Sequence, residues 1–253
     1  MSVFFSESDQ NDYFFINHII FAIALPLHAL TLICLLRETP QFQSDIRKYL
    51  LLIQGLLFVF DCYLLLLQPV FLFPALCSYC VGPLCNQPLD LPPNIVLSIP
   101  WLLISCLAAS GLICCFYRQQ AIAPVSSRLK VNERFVPIIN TVMFALLNIE
   151  PISFILFSYN REHAEYLIDS SEYDLGWIRQ RGKYFIMDRE IVLTSILYVT
   201  LVVTVVETAL LGTLFSHMFY VLQTETSKSP DTIRKLRLSV YKMLAQVAHF
   251  YLF

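Results

Sequence analysis

The sequence predicts an all-α polytopic transmembrane helix bundle with its N-terminus outside, on three observations. Apolar residues make up 57% of the 253 residues and charged residues only 14%. A soluble domain carries about 25% charged residues, because its surface must be wetted. The apolar residues gather into five runs long enough to cross a hydrocarbon core about 30 Å thick, which takes on the order of 20 residues of helix, and the start of a sixth. Lys and Arg fall mostly on one side of the resulting topology. Without the alternating pattern of barrel strands, these runs are helices.

The first span covers about 14–36. It is too long for a cleaved signal peptide, its leader is acidic (Glu7, Asp9, Asp12), and Leu36-Arg37-Glu38 is a poor cleavage context. The second covers about 50–73, the third 94–117, the fourth 135–158 and the fifth 190–222, and a last run begins at 243 and continues to 253. Prolines at 26, 69, 100, 137 and 151 are tolerable inside a bundle, where neighbouring helices re-satisfy the backbone groups they free. The fifth run would be about 50 Å long at ~1.5 Å per residue, so its lower end should project beyond the membrane near His217 to Leu222. Ser229-Pro230-Asp231 then starts a helix. In it Ile233, Leu236, Val240 and Leu244 form one side, and Arg234, Lys235 and Arg237 the others. Such a basic amphipathic entry suits either anionic lipid or a cytosolic coupling partner.

The connections set the orientation. The leader and the second connection (74–93) have no Lys or Arg, whereas the first (37–49), third (118–134) and fifth (223–242) together hold twelve of the 17. The fourth connection (159–189) holds the other five and offsets them with acids. The basic side should be cytoplasmic, which makes 159–189 a large extracellular loop and 223–242 a cytoplasmic one. The whole chain is then a single membrane domain of five complete spans and part of a sixth, and the lipid bilayer is its first partner.

Polar residues within the spans are the candidate sites. Asp61 lies midway through the second span, Glu207 midway through the fifth and Glu150 toward the outer end of the fourth. An ionised acid at the bilayer centre costs roughly 2.5–3.5 kcal/mol on insertion scales, so each should face the bundle interior or be protonated. No Lys or Arg within a span can pair with them, and the five histidines are scattered. Gln54 and Gln68 stand seven residues either side of Asp61, two turns away on the same helical face. This polar stripe should look toward the first and third helices. Helix-packing polarity, a cation site, a proton-sensitive switch and a ligand contact are all open roles.

No catalytic, metal or cofactor constellation stands out. Nucleophile elbow, HExxH and P-loop patterns are missing and there are only six glycines, so neither an enzyme nor a cofactor or nucleic-acid partner is expected. Cys77, Cys80 and Cys85 of the second connection lack a fourth soft ligand for zinc. Oxidation among them leaves one thiol unpaired. No internal repeat marks a transporter, although a transporter or a non-signalling membrane protein stays open as an alternative.

Three stretches carry a family resemblance: LPLHALTLICLLRETPQFQSDIRKYLLLIQ (25–54), LQPVFLFPALCSYCVG (67–82) and ICCFYRQQAIAP (113–124), in this order around the inner acid Asp61. Together they resemble the nematode serpentine chemoreceptors of classes H and I. The last is similar to that group's replacement for the Asp-Arg-Tyr triplet of other receptors. The resemblance implies a seven-transmembrane chemosensory G-protein-coupled receptor for an unknown small-molecule ligand, in the plasma membrane or sensory cilium. A heterotrimeric G protein would meet Arg118, Gln119 and Gln120 at the inner end of the third span, and Arg234, Lys235 and Arg237 beyond the fifth. The family has seven spans, so a sequence stopping within the sixth is expected to be a truncated product. The bridge from third helix to large outer loop that is usual in rhodopsin-like receptors is not expected, because 159–189 has no Cys.

Overall fold

In the computed structural model of the chain, the described residues are 7–37, 44–72, 77–85, 92–124, 127, 129–149, 151–152, 161–180, 183–186, 192–224 and scattered positions from 231 to 244. The elements are α1 (Glu7–Arg37), α2 (Ser44–Leu67), β1 (Pro69–Leu72), β2 (Cys77–Cys80), α3 (Pro93–Ile122), α4 (Val136–Leu147), α5 (Arg161–Ser170), a 3-10 turn (Gly176–Gln180), β3 (Tyr184–Ile186) and α6 (Val192–Thr224). Described positions between 231 and 244 are helical. Among the described residues four helices (α1, α2, α3 and α6) are long and apolar enough to cross a membrane, and α4 is a shorter apolar helix. Most of the outer part of the fourth span lies outside the described residues.

The helix α3 is the hub, packed against α2, α4 and α6. Its inner half meets α6 in a core of Ala109, Leu112, Cys115 and Ile122 against Leu211, Phe215, Met218 and Leu222. The spacing along α6 is four, three and four residues, one stripe of a 3.6-residue period. Outward faces stay apolar: Ile16, Leu27 and Ile33 on α1 and Leu201 and Val205 on α6 are half or more exposed, as helices bathed in hydrocarbon are.

The second helix ends earlier than the sequence predicts. The expected span reaches 73, but α2 stops at Leu67 and the chain turns back as a strand. Pro69 has no N–H to donate and disfavours helical backbone at the residue before it. Gln68 accordingly adopts a positive φ of 46°, the left-handed conformation that closes many helix C-termini. The returning chain then caps the helix: Gly82 N–H donates to the Leu67 carbonyl (3.0 Å) and Leu84 N–H to the Leu66 carbonyl (3.1 Å). Those carbonyls would otherwise be unsatisfied at the helix end.

The two connections predicted as loops on one side make a common cap. β1 and β2 pair antiparallel with Pro69 opposite Cys80 and Leu72 opposite Cys77, and β2 pairs with β3 from the fourth connection, Cys77 opposite Ile186. Beneath the sheet α5 and the 3-10 turn contribute Ala164, Ile168 and Ile178 to an apolar cluster with Val70, Tyr79 and Tyr184. The region 159–189 is therefore largely structured in its described part. The Tyr13 hydroxyl of α1 donates to the Pro69 carbonyl at 2.9 Å, which fastens the beginning of the chain to the same end. At the other end, the Arg237 guanidinium donates to the Leu222 carbonyl at 3.0 Å and places a cation at the negative end of the α6 dipole.

Gly82 tests the return of the chain onto α2. A Cβ there would lie 2.6 Å from the Leu67 carbonyl carbon and nearer still to the Leu66 carbonyl oxygen. Both are backbone atoms that cannot swing aside. Gly82→Ala is expected to destabilise the cap by about 1–3 kcal/mol, read as a lower thermal midpoint in detergent and faster proteolysis of 69–85. An unchanged midpoint would show that the hairpin does not sit on the helix end.

Candidate functional site

Three polar arrangements are built on this scaffold, one within the helices and one at each end. Within the helices, Gln54 and Asp61 face α1, and His28 of α1 reaches between them. The His28 Nε2 lies 2.7 Å from Asp61 Oδ2, and its Nδ1 lies 2.6 Å from Gln54 Nε2. The His28 and Asp61 side chains are 15% and 33% exposed. The Phe58 ring meets His28 edge-on at 5.6 Å. The helical period explains the geometry: two α2 residues seven apart share a face, and one side chain of a neighbouring helix spans the gap. With an Nε2–H tautomer, His28 donates to the carboxylate and accepts from the Gln54 amide. With both nitrogens protonated, the amide turns over and the pair becomes imidazolium–carboxylate, which is neutral overall.

His28 is the partner that sequence reasoning missed, since it looked for Lys or Arg inside the spans. The signal available was two polar side chains two turns apart on α2. The stripe itself needs correcting in two respects. Asp61 meets the first helix, whereas toward α3 it is Tyr63 of α2 that offers a hydrogen bond, its hydroxyl donating to the Val96 carbonyl at 2.9 Å. Gln68 does not extend the stripe. It lies beyond the helix end in left-handed backbone, where the seven-residue spacing no longer defines a face.

Of the other acids, Glu207 is buried on the core face of α6, between Val203 and Leu211. Glu150 lies outside the described residues. A further buried polar residue, Asn148, ties α4 to α3: it accepts from the Cys106 thiol at 3.3 Å while its amide donates to the Phe144 carbonyl at 2.8 Å.

At the cap, Cys80 and Cys85 form a disulfide and Cys77 is free and buried. Burial pushes the Cys77 thiol up to about 12, so it stays protonated and unreactive near neutral pH. Glu165 and Asp169, one turn apart on α5, clamp Arg179: its Nε donates to Glu165 at 2.5 Å and its Nη2 to Asp169 at 2.7 Å. Tyr184 of β3 donates its hydroxyl to the other Glu165 oxygen. The Tyr184 hydrogen bond, then the Arg179 one, holds the Glu165 carboxyl below its ordinary 4.5.

At the opposite end, Gln119 and Gln120 were expected to face a partner but are turned inward, 1% and 7% exposed. They bond the third connection and His217 of α6. Their long polar side chains follow the α3 face that packs on α6, where the Leu129 carbonyl and the Val131 N–H supply partners. Arg118 is half-buried and Arg234 exposed, Arg237 is committed to Leu222, and Lys235 lies outside the described residues. A shallow, open surface depression of about 570 Å³ adjoins this end, lined by Leu129, Gly212, Ser216, His217 and Tyr220 among others.

Two tests follow from these arrangements. Removing His28 alone (His28→Leu) leaves an unpartnered acid in the membrane and should cost about 2–3 kcal/mol, seen as reduced surface expression. Asp61→Asn keeps the hydrogen bond and should be tolerated, and the double change His28→Leu with Asp61→Leu should recover most of the loss. A double variant no better than the single would show that the two do not act as a pair. For the cap, a carboxyl held below its ordinary value contributes fully above that value and is lost as pH falls through the lowered one. Cap proteolysis should therefore be flat from about pH 8 to about pH 5.5 and rise only below the ordinary 4.5, and Glu165→Gln should remove that rise.

Comparison with known proteins places this architecture. No curated protein and no solved structure matches the chain significantly. A family model described as the serpentine type 7TM GPCR chemoreceptor Srh matches residues 8–253. That match takes in the His28–Asp61 pair, the cap and the α3–α6 core alike. The chain belongs to the Srh family of serpentine seven-transmembrane chemoreceptors, a multi-pass membrane receptor of the G-protein-coupled type.

Proposed function

We propose that this receptor detects a small molecule at the capped end, facing outside, and signals to a heterotrimeric G protein at the opposite, cytoplasmic end, from the plasma membrane or a sensory cilium. The observation that carries the reading is the division of the molecule. The leader and the second and fourth connections meet at one end, and the third connection meets α3 and α6 at the other. This is the partition demanded by the bias of Lys and Arg. The sheet, its disulfide and the Arg179 clamp make a rigid outer lid suited to shaping a ligand entrance. At the other end the exposed Arg234 offers a cation for an acidic partner surface.

Epitope tags on intact cells test the orientation. Tags after Met1 and near Ser170 should be reachable, and one near Ser227 only after permeabilisation; surface labelling at Ser227 would overturn the reading. Coupling is tested by Arg234→Glu, chosen because Arg234 is exposed whereas Arg237 also caps α6. The variant should reach the surface in normal amount and lose its response by on the order of tenfold or more. A normal response would place the coupling surface elsewhere.

A further inference from the structure

The hydrogen bonds around His217 form a chain whose direction is set by backbone groups. Val131 N–H donates to Gln120 Oε1 at 2.8 Å. A backbone N–H can only donate, so the atom opposite it is the amide oxygen and not the nitrogen. The other side of the same amide faces the Leu129 carbonyl at 2.9 Å, which can only accept, and this fixes the amide independently. Gln120 Nε2 therefore donates to Gln119 at 2.6 Å, and Gln119 must present its oxygen there. That leaves Gln119 Nε2 facing His217 Nδ1 at 2.9 Å, so Nδ1 must be the acceptor. The single proton of the imidazole is then on Nε2, which faces Ser127 Oγ at 3.0 Å. Ser127 Oγ also accepts from Leu129 N–H at 3.3 Å.

Each link has one allowed direction, and the chain accommodates only neutral His217. A proton on Nδ1 would set an N–H against the Gln119 N–H₂. Gln119 cannot turn over in response, because its oxygen is held by Gln120, and Gln120 is held by two backbone groups. This differs from the His28 site, where the Gln54 amide is free to serve either protonation state. We infer that His217 is a proton-operated latch: neutral, it binds the third connection to α3 and α6, and on protonation it releases Ser127 and residues 129–131.

Among the described residues the titratable and charged groups on the packed elements are Cys106, Cys114, Cys115, Tyr117 and Arg118 on α3, Lys130, Glu133 and Arg134 in the third connection, Tyr198, Glu207 and Tyr220 on α6, and Asp231, Arg234, Arg237 and Tyr241 beyond it. Lys130 is tied into the same network, its ammonium donating to the Gln120 carbonyl. A proton on His217 Nδ1 is opposed by the misdirected donor of Gln119. The latch lies where a receptor would change its inner end, but its operation does not depend on coupling.

Hydrogen exchange of the purified full chain in nanodiscs, normalised for the intrinsic pH dependence of exchange, tests this. The Val131 amide should be protected at about pH 8 and exchange on the order of tenfold faster, relative to that reference, at about pH 5.5, the effect of one lost hydrogen bond. His217→Gln can accept from Gln119 and donate to Ser127 but cannot be charged; it should keep the protection at both pH values. His217→Ala should lack it at both. Cap amides near Tyr79 should be unchanged throughout, which separates release of the latch from global unfolding. The latch is overturned if His217→Gln retains the wild-type pH dependence, or if Val131 in the wild type exchanges equally at both values. Because the readout is exchange and not signalling, a failure to couple leaves the test intact.

Discussion

Hydrocarbon offers no hydrogen bonds, and the arrangement of this receptor follows from that. Every backbone group freed at a helix end and every polar side chain carried into a span must find a partner within the protein. The end of α2 shows the consequence for the backbone: once Pro69 stops the helix, the chain must come back to cover its last carbonyls, and it returns as a hairpin. The end of α6 meets the same demand with a guanidinium from the following helix. Among side chains, Asp61, Asn148 and Gln119 each bond a residue of a neighbouring helix. These bonds hold helices together where burial of apolar surface supplies little drive, since lipid tails are as apolar as leucine.

The two ends answer the constraint differently. At the capped end the sheet closes its own polar groups by strand pairing, and the disulfide and the Arg179 clamp add covalent and ionic ties. The clamp is solvent-exposed and contributes modestly. What it does is orient α5 against the 3-10 turn, while the Tyr184 hydroxyl ties the same Glu165 to β3. At the opposite end the described residues form no sheet. Side-chain amides and one imidazole bond the loop backbone directly, a looser scaffold that a single proton can reverse. A receptor needs one end that keeps its shape and one that can alter it, and here the difference lies in whether main chain or side chain carries the bonds.

His28 and His217 show how identical side chains acquire different properties. Both are flanked by a glutamine amide. Among the described residues no backbone group fixes the direction of Gln54, so its amide can turn over to meet an N–H or a lone pair of His28. Gln119 is fixed through Gln120 by Val131 N–H and the Leu129 carbonyl, so the His217 site cannot. The first is a pair adaptable to charge and the second is an arrangement that charge disrupts.

Composition and the length of the apolar runs by themselves determined the membrane class and the helices α1, α2, α3 and α6, because solvation in lipid is a property of each segment alone. The quoted stretches around Asp61 also carried the family. Tertiary structure alone decided which groups meet. The early end of α2 depended on Pro69 and on the returning strand that makes the turn worthwhile, and the strand pairing across 69–80 and 184–186 joins segments over a hundred residues apart. Gln68 was placed on the Asp61 face by a helical period that had already ended, and Gln119 and Gln120 were assigned outward though they turn in. His28 looked like one of several scattered histidines. A hydrogen bond between helices depends on their relative rotation and depth. One-dimensional spacing gives the face of each helix but not the face opposite it.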